Sequence, residues 1–353
     1  MSRKVKIGNV TIGGGEPIAV QSMLNIPLTD RQNALAQMQA LEYRGCRIVR
    51  FAVPDIQTAE SIGFFVNKTG MPLVADIHFD HTLAILAAKN GVSKVRINPG
   101  NIGSELKVRE VAACLSDLKI PIRIGVNSGS LEKDLLEKYS GPCAEAMTES
   151  AEKHILLLEK FGFDDIVVSL KSSTVAMTVA ANRLFAAKHD YPLHIGVTEA
   201  GSDKEGIINS AVGIGSLLLD GIGDTVRVSL TNDPVDEITA AKAILDAAGH
   251  PSDGIKVISC PTCARCRVDL FKIVEEVKAA AADIRQRLTV AVMGCAVNGP
   301  GESREADLGI ACGIQSGVLF KKGEIIRTVK EEDITSALLE EIALMTGNTD
   351  ENN

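Results

Sequence analysis

The chain has no tryptophan, and aromatic residues make up only 3% of it. With rings scarce and glycine frequent, burial falls to aliphatic side chains, which suits parallel α/β architecture with Val and Ile filling a sheet covered on both faces. Positive charge is in deficit too: 37 Lys and Arg against 45 Asp and Glu leave a formal charge of −8. That balance argues against a general binder of nucleic acid or anionic membrane, while leaving room for a local basic pocket. No run approaches the ~20 apolar residues of a membrane span, and Met1-Ser2-Arg3-Lys4-Val5-Lys6 carries no apolar signal segment. A cytoplasmic protein is expected. In that compartment eight cysteines read as thiols, ligands or core residues rather than disulfides. Cys46, Cys114, Cys143 and Cys312 stand alone among apolar or small neighbours and read as ordinary packing or surface thiols.

What is present is repetition. At 353 residues the chain exceeds one ordinary core and suggests two domains. Residues 5–14 alternate and contain Gly8-Asn9, the mark of a small hairpin. Strand-length apolar runs follow at Ile18–Met23, Arg47–Val53, Leu73–Phe79, Lys94–Asn98, Ile122–Asn127, Asp165–Lys171, Leu193–Glu199 and Thr225–Leu230. Between them lie amphipathic stretches such as Arg31–Tyr43, Thr82–Asn90, Ser150–Phe161, Ser173–Lys188 and Glu205–Asp220. Eightfold strand–helix alternation predicts a (β/α)8 TIM barrel. The competing open doubly wound sheet lacks a G-x-G-x-x-G after the first run. An eighth helix at Pro234–Ala248 ends in a linker, Gly249–Gly254, so residues 1–250 form the barrel domain and 251–353 a second domain. The second predicts strand Lys256–Ser259, helix Val268–Ile284, strands Leu288–Met293 and Leu308–Cys312, a hairpin through Lys321-Lys322-Gly323-Glu324 and a helix near Ile334–Met345, an α+β pattern. The polar tail Thr346–Asn353 is expected to fray.

Ser259-Cys260-Pro261-Thr262-Cys263 and Met293-Gly294-Cys295 place three thiols in the second domain, where a C-x-x-C turn can aim two sulfurs at one ion or cluster. Zinc and an iron–sulfur cluster both fit three thiolates and one further group. A closed structural zinc site would need a second C-x-x-C or a histidine, and no His follows Cys263. Candidate fourth ligands are Cys266, Glu302 and Cys312. Gly294 and Asn298-Gly299-Pro300-Gly301 let backbone approach sulfide closely and would carry Glu302 back to the metal. A carboxylate, harder than thiolate, would leave iron more readily and open a coordination position.

In a barrel the C-terminal strand ends line the active site. Here they carry Gln21 and Ser22, Arg50, Asp76 and His78, Arg96 and Asn98, Arg123 and Asn127, Ser169 and Lys171, Thr198 and Glu199, Arg227 and Ser229. Charged side chains within Val/Ile-rich runs are costly to bury unless paired or facing a solvated mouth. Five strands contributing Arg or Lys point to an electropositive cup for a compact polyanion, a phosphate or diphosphate gripped by Arg forks. Glu199 reads either as an acid or base among cations or as a simple counter-ion to Lys171 or Arg227.

The linker starts at the end of the barrel opposite the mouth. Six residues span at most ~20 Å, and a twelve-residue barrel helix alone is about 18 Å long. A homodimer in which each second domain caps the partner's barrel meets that constraint.

Val20-Gln21-Ser22-Met23, Arg96-Ile97-Asn98-Pro99-Gly100-Asn101, Gly125-Val126-Asn127-Ser128-Gly129-Ser130-Leu131, Ser169-Leu170-Lys171-Ser172-Ser173 and Gly196-Val197-Thr198-Glu199-Ala200-Gly201 carry a family resemblance. With the cysteine motifs and Gly301-Glu302, the chain resembles the 4-hydroxy-3-methylbut-2-enyl diphosphate synthases of the methylerythritol phosphate isoprenoid pathway, in their two-domain bacterial form. The resemblance implies a TIM barrel followed by a sulfite-reductase-like domain holding a [4Fe-4S] cluster on Cys260, Cys263, Cys295 and Glu302, with Cys266 a bystander. It implies Arg50, Arg96, Arg123 and Lys171 as diphosphate-binding cations, Asp76, Asn98, Asn127, Arg227 and Ser229 as further substrate contacts, and Glu199 as proton donor. The implied reaction is two-electron reductive opening of 2-C-methyl-D-erythritol 2,4-cyclodiphosphate, with flavodoxin or ferredoxin as donor. A barrel aldolase or isomerase with a structural zinc domain, and a metal-dependent docking module, are the competing readings. Neither explains cations at the mouth together with a cluster bearing an oxygen ligand.

Overall fold

A short antiparallel hairpin, β1 (Val5–Ile7) and β2 (Val10–Ile12), begins the chain. The computed structural model describes residues 1–251, 253–282, 284–295 and 306–347, and the chain separates into two units, Met1–Pro251 and Ser252–Asn353.

In the first unit eight parallel strands follow: β3 (Ala19–Met23), β4 (Ile48–Ala52), β5 (Leu73–Asp76), β6 (Lys94–Ile97), β7 (Ile122–Asn127), β8 (Ile166–Lys171), β9 (His194–Ile195) and β10 (Thr225–Val226). Their order is β8-β7-β6-β5-β4-β3-β10-β9, and a parallel bridge from Val168 to Leu193 joins the two ends into a barrel. The predicted TIM barrel is the observed architecture.

Period-two alternation sorts each strand between two environments. Val49, Phe51, Ala75, Val95, Ile97, Ile122, Ile124, Ile166, Val168 and Leu170 join the apolar layer shared with the surrounding helices. Residues of the opposite parity fill the lumen. Its floor is Ala19, Ile48, Val74 and Val167, packed on Val5, Ile7, Val10 and Ile12 of the hairpin, which seals that end. The same parity brings Lys94, Arg96, Arg50, Asp76, Arg123, Lys171, His194 and Thr225 into the barrel.

The helices are α1 (Arg31–Tyr43), α2 (Ile56–Ser61), α3 (His81–Lys89), α4 (Pro99–Ile102), α5 (Glu105–Leu118), α6 (Lys133–Lys138), α7 (Ala144–Glu159), α8 (Val175–Ala186), α9 (Asp203–Leu219) and α10 (Pro234–Ala247). Asp30, Asp55, Asp80 and Asp233 cap α1, α2, α3 and α10 by accepting a backbone N–H of the first turn. The α7 helix starts six residues before the predicted Ser150, because the Cys143 thiol caps it at Ala146 N.

Two predicted strands are much shorter than expected. The strands proper are only His194–Ile195 and Thr225–Val226, so Thr198 and Glu199 lie in a turn and Arg227 and Ser229 lie beyond β10, with Arg227 N still donating to Ile195 O. Val197 and Val228 are nonetheless fully buried. The apolar pattern reported burial, and burial continues here without a ladder.

The second unit holds β11 (Ile255–Ser259), β12 (Leu288–Met293), β13 (Leu308–Cys312), β14 (Ser316–Lys321) and β15 (Glu324–Lys330) in sequential order. The first three are parallel and the last two antiparallel. Helix α11 (Leu270–Ala280) and helix α12 (Ile334–Thr346) cover the sheet through Leu270, Ile273, Val277, Ile334, Leu338 and Ile342. This is the predicted α+β pattern, with α11 shorter at both ends than Val268–Ile284; its start is set by Asp269, which caps it by accepting from Lys272 N.

Candidate functional site

Positive charge dominates the lumen. Asp76 at the end of β5 accepts from Arg96 Nη1 at 3.1 Å and sits 3.8 Å from Arg50 Nε. Burial alone would raise its carboxyl, but His78, whose Nε2 lies 3.6 Å from Oδ2, and the Arg50, Arg96 and Arg123 cations overcome that and hold it far below the carboxylate range. Arg50 also donates to Met23 Sδ at 2.9 Å, and burial lowers its guanidinium to about 10 despite Asp76. Arg123 is 1% exposed, and its Nε and Nη1 have no partner among the described residues; burial, then Arg50 and Arg96, push it down. Lys94 is wholly buried with its Nζ unpaired among the described residues. A Cβ at Gly125 would collide with the Arg96 guanidinium, and one at Gly196 would come 2.8 Å from Lys171 Nζ. Those two glycines make the room in which the cations sit.

Several buried cationic donors without protein acceptors among the described residues, in a barrel whose floor is closed, form an electropositive cup suited to an anion. Asn98 caps α4 by accepting from Gly100 N, and Asn127 ends β7 half-buried, both at the mouth. Ser229 is half-buried beyond β10.

The structure corrects one reading of Glu199. It is exposed, in a left-handed backbone conformation with φ 52°, and makes no ion pair among the described residues. Arg227 is instead paired with Glu237 of α10 at 3.1 Å, and Glu237 also accepts from Ser22 Oγ at 2.9 Å and Leu230 N at 3.2 Å. Lys171 is hydrogen-bonded to His194. Neither cation uses Glu199 as a counter-ion. A non-glycine residue held at positive φ marks strain of the kind found at functional turns.

Sequence reasoning missed Glu237, His194 and Lys94. Lys94 carried a signal, being two residues before Arg96 on the same strand face; Glu237 carried none, since its helix position reads as solvated.

In the second unit the thiols gather where β11, β12 and β13 end. Cys260 follows β11 and its Sγ accepts from Gly294 N at 3.3 Å; Cys295 is the next residue. Hydrogen bonds from the Arg265 backbone and side chain, with that from the Cys266 amide, lower the exposed Cys263 thiol. Amide and guanidinium donors aimed at sulfur stabilise thiolates, the form that binds metals. Cys266 also lies here, with its Sγ 2.5 Å from where a Gly294 Cβ would stand. Burial, followed by Cys266 and Cys260, pushes Cys312 up to about 12. Glu302 and the 298–301 turn lie outside the described residues.

A closed parallel barrel with a cationic lumen, followed by a small unit with thiols near parallel strand ends, defines a two-domain α/β protein; among the described residues no three His, Cys, Asp or Glu side chains converge as a metal-binding group. The description "GcpE TIM-barrel domain" matches residues 2–242, and "GcpE protein C-terminal domain" matches residues 256–344. The 4-hydroxy-3-methylbut-2-en-1-yl diphosphate synthase (flavodoxin) of Thermodesulfovibrio yellowstonii is 53% identical over 341 residues, 97% of this chain and 98% of its own length. That of Geobacter sulfurreducens is also 53% identical over 341 residues, covering 97% of both chains. The chain belongs to this family. Dihydropteroate synthase from Yersinia pestis, 12% identical with TM-score 0.50 over 70% of this chain and 100% of its own, shares the barrel fold alone.

Proposed function

We propose that this chain opens 2-C-methyl-D-erythritol 2,4-cyclodiphosphate reductively: the substrate takes up two electrons and two protons, loses water, and leaves as (E)-4-hydroxy-3-methylbut-2-enyl diphosphate. The observation that carries this is the barrel lumen, where the buried carboxylate Asp76 faces Arg50, Arg96 and Arg123, and where Lys94 and Lys171 are buried as well. A cyclic diphosphate offers acceptor oxygens to these cations.

Arg96, Arg123 and Lys171 bind the phosphates. Asp76 orients Arg50 and Arg96, and Glu237 orients Arg227. Asn98, Asn127 and Ser229 contact the carbon skeleton and its hydroxyls from the rim. Glu199, free of ion pairs among the described residues, protonates the departing oxygen.

Cys260, Cys263, Cys295 and Glu302 would hold a [4Fe-4S] cluster, and the donors around Cys260 and Cys263 fit such thiolates. When bound it would supply electrons singly and a Lewis-acid position at its carboxylate ligand. The relatives' name gives flavodoxin as the electron donor, and a flavodoxin-type donor suits a chain with no flavin motif of its own.

All eight cysteines are free, which accords with a reducing compartment, and we assign the enzyme to the cytoplasm. No helix among the described residues is long and apolar enough to cross a membrane. The active form proposed is a homodimer in which the second domain caps the partner's barrel, supported by the short reach of the linker after α10.

Anaerobic, iron-replete purification with optical, iron and sulfide analysis tests the reading. A brown protein with about four irons and four sulfides per chain supports it, with Glu302→Ala weakening the cluster. A colourless zinc protein overturns it. Mixing Arg123→Met and Cys260→Ser chains tests the dimer: activity restored in the mixture means one chain's barrel works with the other's thiols, and no restoration removes the capping arrangement.

A further inference from the structure

His194 is fully buried in the lumen on β9. Its Nε2 is 3.2 Å from Lys171 Nζ and its Nδ1 is 2.8 Å from Thr225 Oγ1, itself fully buried on β10. We propose that His194, set in one tautomer by Thr225, is the positioning residue that keeps Lys171 an ammonium aimed at the bound diphosphate. This rests on the anion-cup reading above.

The geometry leaves few alternatives. Acting on Lys171 across the lumen are Arg123 of the neighbouring β7, Arg50 of β4, Arg96 of β6 and Arg227 beyond β10, every one a cation. Burial first, then those cations, push the Lys171 ammonium down. His194 meets the same field from Lys171, Arg123, Lys94 and Arg50, and burial first, then that field, hold its imidazole neutral. A neutral imidazole beside an ammonium must offer the Nε2 lone pair. Nδ1 then carries the proton and donates to Thr225 Oγ1.

The pair therefore gives Lys171 an acceptor without adding charge. A carboxylate there would neutralise the cup and repel the ligand; an apolar residue would leave the ammonium with cations alone. Lys94 is the comparison within the same lumen: a buried amine whose Nζ has no acceptor among the described residues. Gly196 completes the arrangement, because any Cβ there would crowd the space Lys171 Nζ occupies.

The test is calorimetric titration of the full-length protein with inorganic pyrophosphate across neutral and alkaline pH, with thermal melting to check folding. His194→Leu is expected to weaken pyrophosphate about tenfold at neutral pH and to move the alkaline loss of binding about one pH unit lower. His194→Gln, whose Oε1 accepts at the Nε2 position, is expected to restore most of both. Thr225→Val keeps shape while releasing the tautomer, and is expected to shift the alkaline limb in the same direction by less; it carries the test if the Leu variant does not fold. Wild-type affinity with an unmoved alkaline limb in His194→Leu or Thr225→Val overturns the proposal, as does equal impairment of the Leu and Gln variants with no pH shift. Wild-type protein that does not bind pyrophosphate overturns the anion cup and this inference together.

Discussion

The barrel mouth and the thiol end of the second unit are both built at the C-terminal ends of parallel strands, yet they hold their reactive groups differently. In the lumen the cations are buried and fixed by register: Arg123 is 1% exposed, with two nitrogens that have no partner among the described residues. At the thiol end Cys263 is exposed, Cys260 and Cys295 are half-buried, and their sulfurs sit on turns beyond the strands. A cup for a polyanion must be complete before the ligand arrives, because rearranging buried charges during binding is costly. A thiol set is completed by what it binds, since metal binding itself orders the ligands.

The sharpest way to break this contrast is to disable one end and watch the other. Cys260→Ser is expected to abolish iron and sulfide binding and reduce turnover to background, while calorimetric affinity for pyrophosphate stays at the wild-type value. A parallel fall in that affinity would mean the two sites are energetically one.

Asp76→Asn comes next. The folded Asp76 carboxyl titrates well below its unfolded value, so its contribution is present above the unfolded value near pH 4 and lost as pH falls below it. Removing it among three arginines should cost about 3 kcal/mol at neutral pH. Urea unfolding should show the deficit at neutral pH shrinking in acid. A deficit that does not change with pH would assign the loss to packing.

Arg123→Met addresses the cost of holding these cations together. Pyrophosphate affinity should fall about a hundredfold, while the ligand-free protein melts a few degrees higher because an uncompensated buried charge has gone. A lower melting temperature would show that the lumen is not strained without its anion.

Glu237→Gln is the mildest change. It preserves shape but removes the charge that fixes Arg227, and a roughly tenfold rise in KM with little change in kcat is expected. An unchanged KM would remove Arg227 from the binding site.

Much of the first unit was legible because barrel strands enforce alternation. Arg96 and Arg123 had to share the lumen once their strands paired in register, as the Arg96–Arg123 alignment confirms. The cysteine motifs were legible because their spacing is local. The brevity of β9 and β10 was not, since Val197 and Val228 are buried by packing without pairing. Nor was the turn at Glu199, where a positive φ occurs at a residue type that does not advertise it.

The sequence by itself determined the barrel, the α+β unit and the identity of the cations and thiols, because periodicity and spacing along the chain dictate which face each residue takes. Which acceptor each cation uses was decided only by the tertiary structure. Glu237 reaches Arg227 from ten residues away, and across the neighbouring strand Ser22 from 215 residues away. His194 meets Lys171 and Thr225 only after β8, β9 and β10 close the ring. Contacts of that kind depend on three-dimensional proximity that no local pattern encodes.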